Sequence, residues 1–281
     1  MKIKILSDST CDLSKELLDK YNITLVPLTV VKNGEVFKDG VNITPADIFD
    51  HVANGGDLCS TTAMNVGEYE EYFAKFSDEY DGILQINIGS GFSSSYQNAC
   101  IAAEDFPKVR VVDSMNLSTG QGLVVLKACE LAQQCDDLDE LFAQVQAYTS
   151  KIESSFLLDQ LTYMVKGGRC SAVAALGANL LGLKPCIEVK DGKLGVVKKY
   201  RGNYAKSLAS YVKERLADRD DIDTNTLFVT RTPVSEECLS AVADAVNTYG
   251  KDFENIYWTE AGCTVSCHCG PGTLGVLFVR K

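Results

Sequence analysis

Short apolar runs and amphipathic stretches follow one another along the first half of the chain, in the order that is typical of βαβ units. The apolar runs predict strands at residues 4–7, 24–28, 82–88 and 109–113. The later stretches predict helices at 96–105 and 121–134. Another helix, facing a core, is indicated by aromatic residues at helical spacing: Tyr69, Tyr72, Phe73, Phe76 and Tyr80. This order predicts a three-layer α/β domain with a mainly parallel sheet.

The second half has a different rhythm, which predicts a mixed α+β domain with antiparallel strands. Asp191-Gly192 lies between apolar runs at 185–189 and 193–200 and favours a hairpin, because this pair tolerates the positive φ of a tight turn. The remaining pattern predicts strands at 155–158, 226–230, 255–259 and 274–279, and helices near 138–151, before 166, and near 174–181, 208–216 and 235–249. A chain of 281 residues usually forms two domains, which we expect at 1–150 and 151–281.

Composition restricts the classes of protein that fit this pattern. A net charge of −11 argues against a nucleic-acid binder, which normally carries a basic face. The eleven cysteines are odd in number and scattered, so we expect reduced thiols in a reducing compartment. Asp8 comes too early for the apolar region of a signal peptide, and no apolar run reaches membrane-spanning length. We therefore expect a cytoplasmic protein.

The segment from Lys166 to Arg201 departs from the acidic average of the chain. It contains eight basic and two acidic residues, which gives a local balance of +6. A run of this kind is either a solvated face or a dock for phosphate or for an acidic partner. The charge pattern alone leaves both interpretations open.

Hydroxyl side chains are dense in three short stretches, Asp8-Ser9-Thr10, Ser60-Thr61-Thr62 and residues 90–95. Each stretch follows an apolar run or precedes a helix, so each one alone is explained by helix capping. The carboxyl ends of the strands in an open α/β sheet are where ligands bind. Together at that edge, the three stretches would form a neutral pocket that donates hydrogen bonds to a carboxylate or phosphate.

Cys267-His268-Cys269, followed by Gly270-Pro271-Gly272, is the other candidate site. On an extended chain, three adjacent side chains point in diverging directions, which does not fit the paired ligands of structural zinc. A buried histidine and a reactive thiol are the other interpretations, and a thiol- or metal-dependent hydrolase using Cys267, His268 and Cys269 is the competing function. The sequence contains no ATP-binding P-loop, no complete dinucleotide fingerprint and no Gly-x-Ser-x-Gly elbow.

A set of motifs occurs in one order along nearly the whole chain: Ser7-Asp8-Ser9-Thr10, Val26-Pro27-Leu28, Thr61-Thr62, Ser93 ahead of Tyr96, Lys166-Gly167-Gly168-Arg169, Leu183-Lys184-Pro185, Arg201 and His268-Cys269-Gly270-Pro271-Gly272. Through them the chain resembles the DegV family of fatty-acid-binding proteins, the type that serves as the B subunit of bacterial fatty-acid kinase. The resemblance implies a two-domain α/β protein with one long-chain fatty acid between its domains, the tail in an apolar tunnel and the carboxylate held by hydroxyls.

The resemblance also implies roles for individual residues. Thr61 or its neighbour Thr62, together with Ser93, resemble the carboxylate ligands, and His268 resembles the histidine beside the head group. Arg169 and Arg201 resemble residues that face the acyl phosphate or the partner. In that system a separate ATP-binding kinase subunit phosphorylates the carboxylate, and the acyl phosphate belongs to phospholipid metabolism. The chain would then be a lipid-binding carrier and not an enzyme, with a fatty acid and that subunit as partners, transient membrane contact, and no cofactor or metal.

Five residues at three places in the chain depart from the family pattern. Ala63-Met64 stands where Gln-Pro is common, Ser94-Ser95 where Gly-Thr is common, and Cys269 in place of threonine. Ser94 in place of glycine loses freedom to adopt a positive φ, so we expect the backbone around Ser93 to be affected.

Overall fold

The computed structural model of the chain describes residues 1–175 and 182–281. The strands in these residues are β1 Ile3–Asp8, β2 Thr24–Val26, β3 Thr29–Lys32, β4 Glu35–Lys38, β5 Ser60–Thr62, β6 Gly82–Asn87, β7 Val109–Asp113, β8 Ile152–Leu158, β9 Leu183–Lys190, β10 Lys193–Arg201, β11 Ile222–Arg231, β12 Asn255–Glu260 and β13 Thr273–Arg280. The helices are α1 Lys15–Lys20, α2 Pro45–Ala53, α3 Val66–Ser77, α4 Ser95–Ala103, α5 Thr119–Ala132, α6 Leu138–Tyr148, α7 Thr162–Gly167, α8 Ser171–Ala174, α9 Tyr204–Leu216, α10 Glu236–Tyr249 and α11 Cys263–Cys269. None of these described helices is long and apolar enough to cross a membrane.

The first half forms a parallel sheet with the strand order β2-β1-β6-β7. Leu6 belongs to a core cluster with α3 and α4 on one face, and Ile5 to a cluster with α5 and α6 on the other. The aromatic stripe predicted for α3 is confirmed, because Tyr69 and Phe73 are fully buried. Helices cover both faces of the sheet, as the sequence predicts for a three-layer α/β arrangement.

The second half forms a six-stranded sheet with the order β10-β9-β8-β13-β11-β12. Its pairs are antiparallel except for β11 and β12, so the mixed α+β domain with antiparallel strands expected from the sequence is confirmed. The hairpin at Asp191-Gly192 is also confirmed, with φ values of 50° and 69° at the two turn residues. Helices α9 and α10 cover one face, while α5 packs against β8 and β13 on the other. The domain boundary expected at residue 150 stays a prediction.

Helix α5 and its neighbours join the two sheets through a shared core. Leu123 and Val124 of α5 belong to one cluster with Ile86 of the parallel sheet and with Phe228 and Leu277 of the six-stranded sheet. The inner face of the six-stranded sheet therefore lies close to the carboxyl ends of the parallel strands. This arrangement creates the space that the candidate site occupies.

A small antiparallel sheet with the order β4-β3-β5 was not predicted. The pattern at 24–28 predicted one strand, but β2 ends at Val26 and the chain starts a new strand, β3, at Thr29. Pro27 explains the break, because proline has no N–H to continue a ladder. The prediction of one continuous strand over residues 24–28 was therefore wrong.

The Cys267-His268-Cys269 segment is the main local correction to the sequence prediction. These residues form the last turn of α11 and are not on an extended chain. The helix ends at Gly270, whose φ of 74° favours glycine and where a Cβ would come within 2.6 Å of the Tyr163 ring. The helix predicted at 174–181 falls mostly outside the described residues, and within them α8 covers Ser171–Ala174.

Candidate functional site

A cavity of about 60 Å³ lies where loops at the carboxyl ends of the parallel strands meet α11 and the six-stranded sheet. We call it the main cavity. Its apolar lining consists mainly of Leu28, Ile88, Phe92, Leu117, Phe156, Met164, Leu194 and Val265. Its polar side chains are Thr61, Thr62, Ser93, Arg169, Thr264 and His268. A mainly apolar cavity with a few polar side chains in its wall is typical of a small-molecule site.

The hydrogen bond between Thr61 and His268 joins two elements that are far apart in the chain. The Oγ1 atom of Thr61 lies 2.8 Å from Nε2 of His268. Thr61 is the central residue of β5 and pairs with Val30 of β3, while His268 lies in the last turn of α11. The small sheet and α11 contact each other, which brings the two side chains together.

His268 is a neutral imidazole at neutral pH. Burial, and then the positive charge of Arg169, lower the pKa of His268 to about 4. Its Nδ1 atom is buried without a hydrogen-bond partner among the described residues. The tautomer with the proton on Nε2 is favoured, because the other tautomer would bury an unpaired N–H donor. Nε2 then donates to Thr61, whose own hydroxyl proton is left for a ligand.

Gly167 allows the end of α7 to approach the imidazole. A Cβ at Gly167 would lie 2.6 Å from Nδ1 of His268, which is too close for the ring to keep its position. The Lys166-Gly167-Gly168-Arg169 stretch therefore has a steric role at the site in addition to its charge.

Two buried aspartates hold the start of α11. Asp39 accepts hydrogen bonds from the backbone N–H groups of Cys263 and Thr264, at 2.9 and 3.0 Å. Asp12 accepts from the N–H of Gly262 at 2.8 Å and from the Ser118 hydroxyl at 2.5 Å. Burial, reinforced by the charges of neighbouring aspartates, raises the pKa of Asp12 to about 8. These bonds satisfy N–H groups that every helix start leaves unpaired, and so fix the helix that carries His268.

Ser93 lines the main cavity and also contacts the start of α4. Its Oγ atom lies 2.9 Å from the Ser95 hydroxyl and accepts a hydrogen bond from the Ser95 N–H at 3.2 Å. The capping interpretation and the site interpretation therefore both apply to this residue. Ser94 adopts a φ of −76°, so the replacement of glycine by serine imposes no strain there.

The two arginines singled out from the sequence occupy different positions. Arg169 is exposed, lines the main cavity, and donates to the Gly167 carbonyl at 2.6 Å. Arg201 is exposed at the end of β10, pairs with Leu183, and does not line the main cavity. Part of the basic segment between them is neutralised, since Lys184 pairs with Asp159 and Lys198 pairs with Glu214.

The Asp8-Ser9-Thr10 stretch does not line the main cavity, which corrects the expectation of three hydroxyl clusters in one pocket. Asp8 is fully buried and accepts hydrogen bonds from Gln121 and from the N–H of Ile88. Ser9 donates to Asp39 at 3.0 Å. These residues tie β1 to the loops around the site without touching the cavity.

The cysteines near His268 are buried and weakly acidic. Burial raises the pKa of the Cys267 thiol, and raises that of Cys269 to about 12. Cys267 packs with Cys59 and Cys263 on the side of α11 that faces the small sheet, while Cys269 lines the main cavity. No group of three or more histidine, cysteine or acidic side chains in 1–175 and 182–281 is arranged to hold a metal ion. A thiol with a raised pKa is a poor nucleophile, so the geometry does not favour the hydrolase alternative.

Thr264 is a cavity residue that the sequence analysis missed. Its hydroxyl is buried without a partner in the described part of the chain, and it lies on α11 with Val265, His268 and Cys269 along the cavity wall. Recognition of helical spacing at 264–269 would have found it. Because that stretch was interpreted as an extended chain, the helix face that these residues share was not recognised.

Comparison with known proteins identifies the family. A family model described as "Uncharacterised protein, DegV family" matches residues 2–281. The chain belongs to the DegV family. A DegV domain-containing protein from Clostridium acetobutylicum is 31% identical over 282 residues, which cover 100% of this chain and 99% of that relative. The resemblance predicted from the motifs is thereby confirmed.

Solved structures of similar proteins share the fold described above. A DegV family protein from Thermus thermophilus, described as fatty-acid-binding, has a TM-score of 0.89 and 27% identity and covers 100% of both chains. A stearic acid-binding protein from Eubacterium ventriosum has a TM-score of 0.84 and 26% identity, with 99% of this chain and 98% of that chain covered. Fatty-acid binding is thus a property of DegV proteins that this chain resembles in sequence and fold.

Proposed function

We propose that this DegV protein binds one long-chain fatty acid in the main cavity, with the carboxylate at Thr61, Thr62, Ser93 and His268. The observation that carries the proposal is the Thr61–His268 hydrogen bond in the wall of a mainly apolar cavity. The fatty-acid-binding description of the Thermus thermophilus structure and the stearic acid bound by the Eubacterium ventriosum protein support the same ligand class.

The polar groups fit a carboxylate. A buried carboxylate is costly unless it accepts hydrogen bonds, and the hydroxyls of Thr61, Thr62 and Ser93 are donors in the same cavity. The neutral His268 orients Thr61 without introducing a fixed positive charge, and the Arg169 cation lies at the same cavity. This set holds the carboxylate while leaving its oxygens able to react.

The apolar walls fit an acyl chain. Each methylene that leaves water contributes about 0.8 kcal/mol, so the tail supplies affinity without any polar contact. The head group then sets the orientation of the ligand and the shape of the cavity sets the preferred chain.

We further propose that the bound carboxylate is presented to a separate ATP-dependent kinase subunit, which converts it to an acyl phosphate. Arg169 and Arg201 are the candidates for contact with the phosphate or with that subunit, because both are exposed and belong to the basic segment. The lack of a P-loop in the sequence agrees with a carrier that relies on a second protein for ATP. The same proposal includes a cytoplasmic location and transient contact with a membrane when the ligand is exchanged.

Fatty-acid binding is tested by titrating delipidated protein with octadecanoic acid and with octadecanol, which has the same tail but no carboxylate. The account predicts saturable binding of the acid with one ligand per chain and at least tenfold weaker binding of the alcohol, because a charged group makes stronger hydrogen bonds. Equal affinity for the two compounds would contradict the assignment of Thr61, Thr62 and Ser93 as ligands of the carboxylate.

Presentation to a kinase is tested by mixing the loaded protein with a purified ATP-binding fatty-acid kinase subunit and ATP, with hydroxylamine present to trap acyl phosphate. The account predicts acyl hydroxamate only when both proteins and ATP are present. Its absence, with lipid binding intact, would leave the binding function and remove the kinase role.

A further inference from the structure

A second cavity of about 30 Å³ adjoins the main cavity along the inner face of the six-stranded sheet. We call it the inner chamber. The two cavities share four lining residues, which are Leu117, Phe156, Val265 and Cys269. The inner chamber differs from the main cavity in the number of hydroxyl side chains that line it, which are Ser118, Ser154, Ser155, Thr230, Thr232 and Thr273.

Five of these hydroxyls have hydrogen-bond partners within the protein. Ser118 donates to Asp12, Ser155 pairs with Tyr211, and Thr230 pairs with both Thr119 and Thr259. Thr232 and Thr273 donate to backbone carbonyls of the loop at 269–270. The Ser154 hydroxyl differs from all of them, because it has no partner in the part of the chain that the structure describes.

Ser154 is buried, with 1% of its surface exposed. It lies two residues before Phe156 on β8, so both side chains point to the same inner face of the sheet. Its Oγ atom lies against Gly120 of α5, where a Cβ would approach it to 2.2 Å. The absence of a side chain at Gly120 therefore leaves room for this hydroxyl beside the chamber.

An unpartnered buried hydroxyl costs about 1–3 kcal/mol relative to a paired one. Alanine at this position would avoid that cost with little change in volume. A purely hydrocarbon tail in the inner chamber would leave the hydroxyl unpaired and would exclude water from it. A ligand that carries its own hydroxyl at this depth would satisfy it.

On the basis of the proposed function, we propose that the inner chamber receives the distal part of the acyl chain and that the Ser154 hydroxyl hydrogen-bonds to a hydroxyl group on that part. The preferred ligand class is then a hydroxylated long-chain fatty acid. The residues shared by the two cavities place them side by side, and Ser154 lies about 7 Å from the shared residue Phe156 along β8.

The test compares dissociation constants of the delipidated protein for octadecanoic acid and for a series of its monohydroxylated derivatives, with the hydroxyl moved along the distal half. The derivative whose hydroxyl reaches Ser154 should bind about fivefold to tenfold more tightly than octadecanoic acid. Ser154→Ala should remove that advantage and leave the affinity for octadecanoic acid equal to or better than that of the wild type.

Ser207→Ala is the matched control, because Ser207 is also a buried serine, bonds to the Asn203 carbonyl, and lines neither cavity. It should keep the preference for the hydroxylated acid. If no derivative binds more tightly than octadecanoic acid, or if the advantage survives in Ser154→Ala, the inference is wrong and fatty-acid binding stands. If folded protein binds neither class, the proposed function itself fails.

Discussion

Thr61 and His268 are separated by 207 positions in the chain, yet their side chains are joined by a hydrogen bond of 2.8 Å. One residue comes from a three-residue strand and the other from the last turn of a seven-residue helix. Neither element is long enough to be stable alone, so tertiary packing fixes the pair. The site therefore depends on the contact between the small sheet and α11 as much as on the two side chains.

Removal of the Thr61 hydroxyl should weaken fatty-acid binding. Thr61→Val keeps the shape and the β-branching of the side chain but removes the donor, so the dissociation constant for octadecanoic acid should rise about tenfold. Thr24→Val is the matched control, because Thr24 is a half-buried strand threonine outside the main cavity. Isothermal titration of both variants checks this, and equal affinities would show that Thr61 does not contact the carboxylate.

A methyl group at Gly167 should disturb the imidazole. Gly167→Ala would place a Cβ 2.6 Å from Nδ1 of His268, so the ring must move and the geometry of its bond to Thr61 must change. Fatty-acid affinity should fall about tenfold, while stability changes little, because alanine suits a helix better than glycine. In Gly195→Ala the added Cβ would meet no atom within 4 Å, so this control should bind as wild type. Unchanged binding by Gly167→Ala would contradict the role of His268.

Asp12 should make stability depend on pH. Its pKa is raised to about 8 by burial and by nearby aspartates, so in the folded state it keeps its proton after the unfolded chain has ionised. Wild-type stability should therefore fall, relative to Asp12→Asn, as pH rises from about 4 to about 8, by a few kcal/mol. Urea unfolding of both proteins across that range measures the difference. A constant difference would mean that Asp12 ionises normally.

Substitutions of the two arginines and of the hydroxyl residues should affect two different steps, acyl-phosphate formation and fatty-acid binding. Arg169→Ala and Arg201→Ala should lower acyl-phosphate formation at least tenfold, because both exposed cations are candidates for contact with the phosphate or with the kinase subunit. Of the two, Arg169 lines the main cavity and Arg201 does not. Arg201→Ala should leave the dissociation constant for the fatty acid within about twofold. Thr61→Ala combined with Ser93→Ala should show the reverse order, with a large loss of binding. Equal binding losses in all the variants would show that these roles are assigned wrongly.

Local sequence patterns predicted the elements whose stability is local or periodic. Strand β7 at Val109–Asp113 and the Asp191-Gly192 hairpin follow from apolar runs and from turn chemistry. Helix α10 follows from apolar periodicity between Ser235, whose side chain caps its start, and Gly250 at its end. These features need no knowledge of distant contacts.

The elements that form the site were harder to predict, because distant residues stabilise them. Helix α11 has few strong helix formers, and the side chains that accept hydrogen bonds from its first N–H groups are those of Asp12 and Asp39. The segment was therefore interpreted as extended. Strand β5 is three polar residues that become a strand by pairing with β3. For the same reason, Thr61 and His268 could be assigned to one site through the family resemblance but not through their spacing in the sequence.

Native mass spectrometry of the protein as purified, followed by organic extraction of whatever is released, tests the central claim most directly. The account predicts a mass excess of one long-chain fatty acid per chain, lost in the Thr61→Ala, Ser93→Ala double variant. Protein that carries no lipid, and that takes up no labelled fatty acid while folded, would contradict it.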